Sequence, residues 1–282
     1  MIDTTGGKTA IFALLILNVV GCGGGGSDAT PCQSTIPGLC ASLGTPLNGG
    51  NSGVVPVGPE ISAEGVYSGV LTGSKSSDFV SLILENGEYW TLYGVNSATS
   101  FQIAGILQGT VTSSKGQFTS SDIKDFGFSP ALAGTASASY ETKTNTISGT
   151  AKIGTTNIGF NGGPITGSSY NYNTAASLAT VSGLWSTTIL TGERMTLNIA
   201  ASGAFSAYTS LGCNGSGTIK PRASGKNVFD VSITTGPAPC LLPNQTGTGV
   251  AVTYPLASGK TQLLITAVDL SRNYGSAAFG TR

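Results

Sequence analysis

The chain is predicted to be all-β, made of two duplicated antiparallel lobes with about eight strands each, closed as small up-and-down barrels or stacked as β-sandwiches. Three observations support this. Glycine supplies 42 of the 282 residues while only 9% are charged, a composition suited to short strands joined by tight turns. The apolar positions alternate with period two rather than following a helical period. The second half of the sequence also repeats the first at a shift near 118 residues, as from Gly65 to Gly183. A repeat of that length means two copies of one domain, not a solenoid of small units.

Taken in order, residues 1–21 hold Lys8, Asp3 and the apolar run Ala10 to Val20, "AIFALLILNVV". The run is too short to span a bilayer, which takes about 20 residues, and it fits the apolar core of a secretory signal. The four residues Val19-Val20-Gly21-Cys22 resemble the lipobox of bacterial lipoproteins. The resemblance implies that Cys22 becomes the first mature residue and carries the acyl chains, and that Gly23 behind it directs the protein to the outer membrane. Several acyl chains also meet the requirement that stable anchoring takes more than one. Residues 22–62, rich in Gly, Ser, Pro and Asn, read as a flexible lipidated tether. Within it, "CQSTIPGLC" is expected to close through a small disulfide between Cys32 and Cys40 in an oxidising compartment.

Residues 63–162 form the first predicted lobe. "VSLIL" turns at Asn86-Gly87 and returns through Tyr89, Thr91 and Tyr93, a strong short-range hairpin signal. "IAGILQGTVT", "GTASASY", "TISGTAKI" and "NIGF" follow with Gly, Ser or Asn between them, and a short helical turn is expected near "SDIKDFGF". Residues 163–177 form the connector and residues 178–282 the second lobe. There "SGLWSTTILTG", "LNIAASGAFSAY", "TGTGVAVTYPLASGKTQLLITA" and "SAAFGT" match segments of the first lobe. Cys213 and Cys240 are expected to staple neighbouring strands of this lobe.

The anchor, tether and twin β lobes resemble the transferrin-binding-protein and factor-H-binding-protein class of surface lipoproteins. This is an architectural likeness that brings no ligand with it. A more local likeness is to lipocalins. Gly183-Leu184-Trp185 has the Gly-x-Trp form, and the resemblance implies that Arg272 or Arg282 lies over Trp185; the first lobe has Tyr67 in place of the tryptophan and no arginine.

The chemistry-bearing residues are few. Histidine is absent, which removes the usual general base and zinc ligand, and rules out a conventional serine triad. Two "GKT" strings, at residues 7–9 and 259–261, lack the upstream glycine of a phosphate loop. Glu85 and Glu88 flank a turn and read as solvated charges. Asp122 and Asp125 have too few oxygen donors nearby for a calcium site and read as capping residues, so no metal or cofactor is expected. The 13 basic and 13 acidic residues cancel without forming blocks, which excludes a nucleic-acid footprint. Tyr89, Trp90 and Tyr93 remain, with Phe101, Tyr170 and Tyr172. Alternation sets Trp90 opposite the two tyrosines, so these rings form either a binding patch for a protein or glycan or a contact between lobes. The sequence therefore predicts a non-enzymatic, outer-membrane-anchored lipoprotein, membrane-bound through its N-terminal lipid. It would act as a binding or envelope-structural module, or alternatively as a periplasm-facing carrier of a small apolar ligand.

Overall fold

The computed structural model describes residues 62–96 and 101–282, all within a compact unit that runs from Pro56 to Arg282. Cys22, Cys32 and Cys40 lie outside the described residues. The first lobe contains β1 (Gly65–Thr72), β2 (Asp78–Ile83), β3 (Glu88–Asn96), β4 (Phe101–Thr110), β5 (Thr112–Ser114), β6 (Gln117–Asp125), β7 (Leu132–Glu141), β8 (Thr146–Ile153) and β9 (Thr156–Gly163). After the four-residue helix α1 (Leu178–Val181), the second lobe contains β10 (Gly183–Ile189), β11 (Arg194–Ile199), β12 (Ala204–Thr209), β13 (Asn214–Pro221), β14 (Phe229–Thr235), β15 (Thr246–Pro255), β16 (Thr261–Asp269) and β17 (Gly275–Thr281).

Both lobes are closed antiparallel barrels. In the second, the strands follow chain order and β17 returns to pair with β10. In the first, β9 pairs with β1, and the circuit closes where Leu107 of β4 meets Asp125 of β6, leaving β5 as a short ribbon beside β6. Closure hides the sheet edges, which a chain this rich in β-prone runs needs. The repeated segments fall on matching strands, and each barrel starts at a glycine with positive φ, Gly65 at 147° and Gly183 at 110°. The helical turn expected near "SDIKDFGF" does not form. Residues up to Asp125 belong to β6, which absorbs the local irregularity as a register shift between Ser120 and Ile123.

The lobes pack against each other through an apolar cluster. Leu82, Trp90, Leu92 and Ile106 on the outer face of the first barrel meet Val250, Tyr254, Leu264 and Val268 on the outer face of the second. The connector closes over this seam: Tyr172 is buried in it, and the Tyr170 ring meets Tyr254 edge-on at 6.4 Å. Among the described residues, three ion pairs cross between the N-terminal and C-terminal halves: Lys226 with Glu64 at 2.6 Å, Arg222 with Glu85 at 2.8 Å, and Arg272 with Asp122 at 3.1 Å. The Glu85 carboxyl, pushed up by partial burial, is nevertheless held below its ordinary value by backbone hydrogen bonding and the Arg222 guanidinium. Glu85 is thus a bridge between lobes rather than a purely solvated charge.

Candidate functional site: the second barrel

The two barrel interiors are filled differently. Tyr67, Phe79, Tyr89, Phe118 and Tyr140 pack inside the first, and Tyr93 closes its Asp125 end. The Tyr93 hydroxyl donates to Asp125 Oδ1 at 2.8 Å, and the Gly127 N–H donates to the same oxygen at 2.8 Å. Burial pushes the Asp125 carboxyl above its ordinary value despite these two donors, and burial beside that carboxylate raises the Tyr93 phenol. Tyr89 donates to Ser120 Oγ at 3.0 Å. Trp90 points the other way, 1% exposed, into the seam between lobes. Of the two expectations for Tyr89, Trp90 and Tyr93, a binding patch or packing between lobes, burial favours packing: Tyr89 and Tyr93 face the barrel and Trp90 joins it to its neighbour.

In the second barrel the large side chains gather at one end. Trp185, Leu197, Ile199, Phe205, Ile219 and Phe229 fill it, and α1 lies across it with Val181 buried. Trp185 Nε1 donates to Val181 O at 2.7 Å. The Arg282 guanidinium lies 4.0 Å from the centre of the Trp185 ring and donates to Ser182 O at 2.7 Å and Thr180 O at 3.0 Å. Of the two arginines expected over Trp185, Arg282 takes the place. Arg272 turns to the first lobe and donates to Asp122 Oδ2, Asp122 O and Gln108 O. Burial pushes the Asp122 carboxyl up, but hydrogen bonds from Thr110 and the Arg272 charge outweigh it and hold it low. Asp122 is a link between lobes as well as a cap, its Oδ1 accepting the Thr110 N–H at the end of β4 at 2.7 Å.

Toward the other end the inward positions become small. Ala207, Gly247, Ala267 and Ala278 take the wall, and between them lies a cavity of about 170 Å³. Its apolar floor and sides come from Met195, Leu197, Phe205, Val231, Ile233 and Ile265. Thr235, Gln245, Asp269 and Ser276 stand nearer the mouth. Glycine also lets the wall coil tightly: a Cβ on Gly217 would lie 2.0 Å from Ser232 O, and one on Gly249 would lie 1.9 Å from Thr266 O.

The mouth is framed by the four connections at this end: residues 190–193, 210–213, 236–245 and 270–274. A disulfide between Cys213 and Cys240 ties the second to the third, so it staples hairpin tips rather than strand bodies. Asp269 fixes the last connection by accepting from the backbone N–H groups of Ser271, Asn273 and Tyr274. The result is a cup, sealed and aromatic at one end, open and small-walled at the other. The alternating pattern did not reveal the hollow, although the Gly and Ala on the inward positions of β12, β15, β16 and β17 are its sequence signal.

No protein-family model matches this chain, and no curated protein sequence does. Among solved structures, the isotype 1 transferrin binding protein B from serogroup B Neisseria meningitidis aligns at 10% identity and a TM-score of 0.24, covering 73% of this chain and 65% of that one. A mutant of the vaccine antigen transferrin binding protein B from Haemophilus parasuis aligns at 10% identity and a TM-score of 0.26, covering 73% and 54%. A protein of unknown function of the DUF3598 family from Nostoc punctiforme aligns at 14% identity and a TM-score of 0.22, covering 77% and 93%. The chain thus spans less than two thirds of either transferrin binding protein.

Proposed function

We propose that this chain is an outer-membrane lipoprotein, anchored through Cys22, that acts as a non-catalytic binding module with its second barrel as the receptor for a small apolar ligand. One observation carries the reading: the cup of about 170 Å³, apolar below and polar at the rim, in a barrel whose sister carries large aromatic side chains inside. A dry cavity near 150 Å³ is large enough to take up benzene. The ligand class is therefore a single ring system or the end of an acyl chain, with any polar group left at the mouth beside Thr235, Gln245 and Ser276. The non-catalytic reading rests on the absence of histidine and on the structural duties of the carboxylates: Glu85 and Asp122 hold the lobes together, Asp125 orders Tyr93, and Asp269 orders a turn.

The test is native mass spectrometry of protein purified without detergent, beside a variant in which Ala207→Phe and Ala267→Phe fill the cup. A bound mass in the parent that is lost in the filled variant is the expected result. Failure of the parent to take up any of a series of fatty acids and indoles would sink the receptor reading. The anchor is tested separately: Cys22→Ala moves the protein from the membrane fraction to the soluble fraction, and retention in the membrane would refute lipidation.

A further inference from the structure

Hairpin tips are ordinarily polar, dominated by Gly, Asn, Asp, Ser and Pro. Three of the four connections around the mouth of the second barrel instead carry a leucine turned to solvent: Leu211 at 75% exposed, Leu241 at 83% and Leu270 at 83%. Leu211 and Leu241 lie within two residues of the bridged Cys213 and Cys240, so both tips are held in place. Just behind the tips, Tyr208 and Tyr274 are exposed. Leucines leading, with tyrosines one step behind, is the depth order of a bilayer interface, where aromatic rings sit at headgroup level.

Charge supports the same reading. The four connections carry only two charged side chains, Glu193 and Arg272, with Asp269 at the end of the strand before the last connection, and all three are occupied. Glu193 accepts from the Leu211 N–H at 2.8 Å, Asp269 accepts from its own turn, and Arg272 is bound to Asp122. The nearest exposed cation, Arg194, follows the first connection, where its long stem lets the guanidinium reach lipid phosphates. A fluid acyl layer takes leucines from three different connections without needing a pocket shaped for each, which suits single apolar residues carried on loop tips.

We infer that the open rim of the second barrel docks on a lipid bilayer, with Leu211, Leu241 and Leu270 entering the acyl boundary and the cup opening toward the membrane. The inference deepens the receptor reading, because an acyl-chain ligand would then enter the cup directly from lipid. The docking itself stands on the rim alone.

The experiment places a tryptophan at a tip of the full chain, Leu270→Trp or Leu211→Trp, and compares it with Val70→Trp, an exposed site on the first lobe. Each protein is added to vesicles of phosphatidylethanolamine with a minority of phosphatidylglycerol, with or without bromine on the acyl chains. Because only the added ring is compared, attachment through the N-terminal segment does not confuse the reading. Docking quenches the rim tryptophans roughly twofold or more, as expected for insertion about 5–10 Å into the interface, and leaves the first-lobe tryptophan unaffected. Unquenched rim tryptophans, or equal quenching at Val70, would overturn the inference. A blue shift of the rim tryptophan with protein concentration in the absence of vesicles would overturn it too, by showing that a second copy covers the rim. Replacing all three leucines with serine should abolish docking yet leave ligand uptake from solution intact. Loss of uptake by the cup-filled variant with docking retained would be the converse result, so the two readings can fail independently.

Discussion

Asp125 shows how one residue carries opposed demands. It is 4% exposed, and its Oδ1 holds both the Tyr93 hydroxyl and the Gly127 N–H. Burial raises its carboxyl above the ordinary value, so between the unfolded value, near 3.9, and the raised folded one the native state binds a proton that the unfolded chain has released. Its contribution is therefore fully present below the unfolded value and is lost as pH rises through the folded one. Asparagine keeps an acceptor oxygen and cannot ionise. Asp125→Asn is expected to match or exceed the parent in denaturant midpoint at neutral pH, with the gap closing below the unfolded carboxyl value. A lower midpoint throughout would mean that the charge itself is needed. Arg272 bears a different tension: its φ of 54° lies in the left-handed region, at a cost of about 1 kcal/mol. Its three hydrogen bonds to the first lobe hold it there.

Among the elements, the hairpins show how far alternation can be read. The Asn86-Gly87 turn was legible, and Gly87 sits at a φ of 80°. So were the strands that followed, because period two needs only local sequence. The exact register of the repeat was not. Aligned as sequences, "LILENGEYWTLY" and "LNIAASGAFSAY" set Trp90 against Phe205, but the matching turn glycines are Gly87 and Gly203, which sets Tyr89 against Phe205. A slip of one residue exchanges inside for outside. That single step separates a ring inside a barrel from one at the seam between lobes. The disulfide was legible as a pair but not as a rim staple, since spacing does not say which turns come together. In the chain-entropy picture, a bridge across a sequence separation of 27 contributes about 3.5 kcal/mol. Replacing Cys213 and Cys240 with serine should lower the unfolding free energy by roughly that amount, measured by urea denaturation, and loosen the rim loops first.

At the scale of the molecule, duplication was legible and the division of labour between the copies was not. Which barrel takes the larger inward side chains and which carries the cup depends on inward volumes summed across strands far apart in sequence. The seam likewise appears only once both barrels exist, because Trp90 and Leu264 each read locally as ordinary strand residues. The seam predicts cooperative unfolding. Far-UV circular dichroism and tryptophan fluorescence should report one coincident transition for the parent, and Leu264→Asp should split it into two. Trp90→Ala should cost about 3–5 kcal/mol, in the range of large-to-small changes in a core. Two separate transitions in the unmodified protein would show that the lobes are energetically independent.

The three ion pairs between the halves share one polarity: Glu64, Glu85 and Asp122 on the N-terminal side, Lys226, Arg222 and Arg272 on the C-terminal side. A duplicated chain risks joining like to like. As the polypeptide leaves the ribosome, the first lobe is made before its mate and presents an apolar flank ready to stick to the same flank of a neighbouring nascent copy. With acids on every such flank, two first lobes repel at the seam, whereas the cations made last attract it. The charge order thus makes the correct intramolecular union the favoured one and guards synthesis against pairing between sister chains.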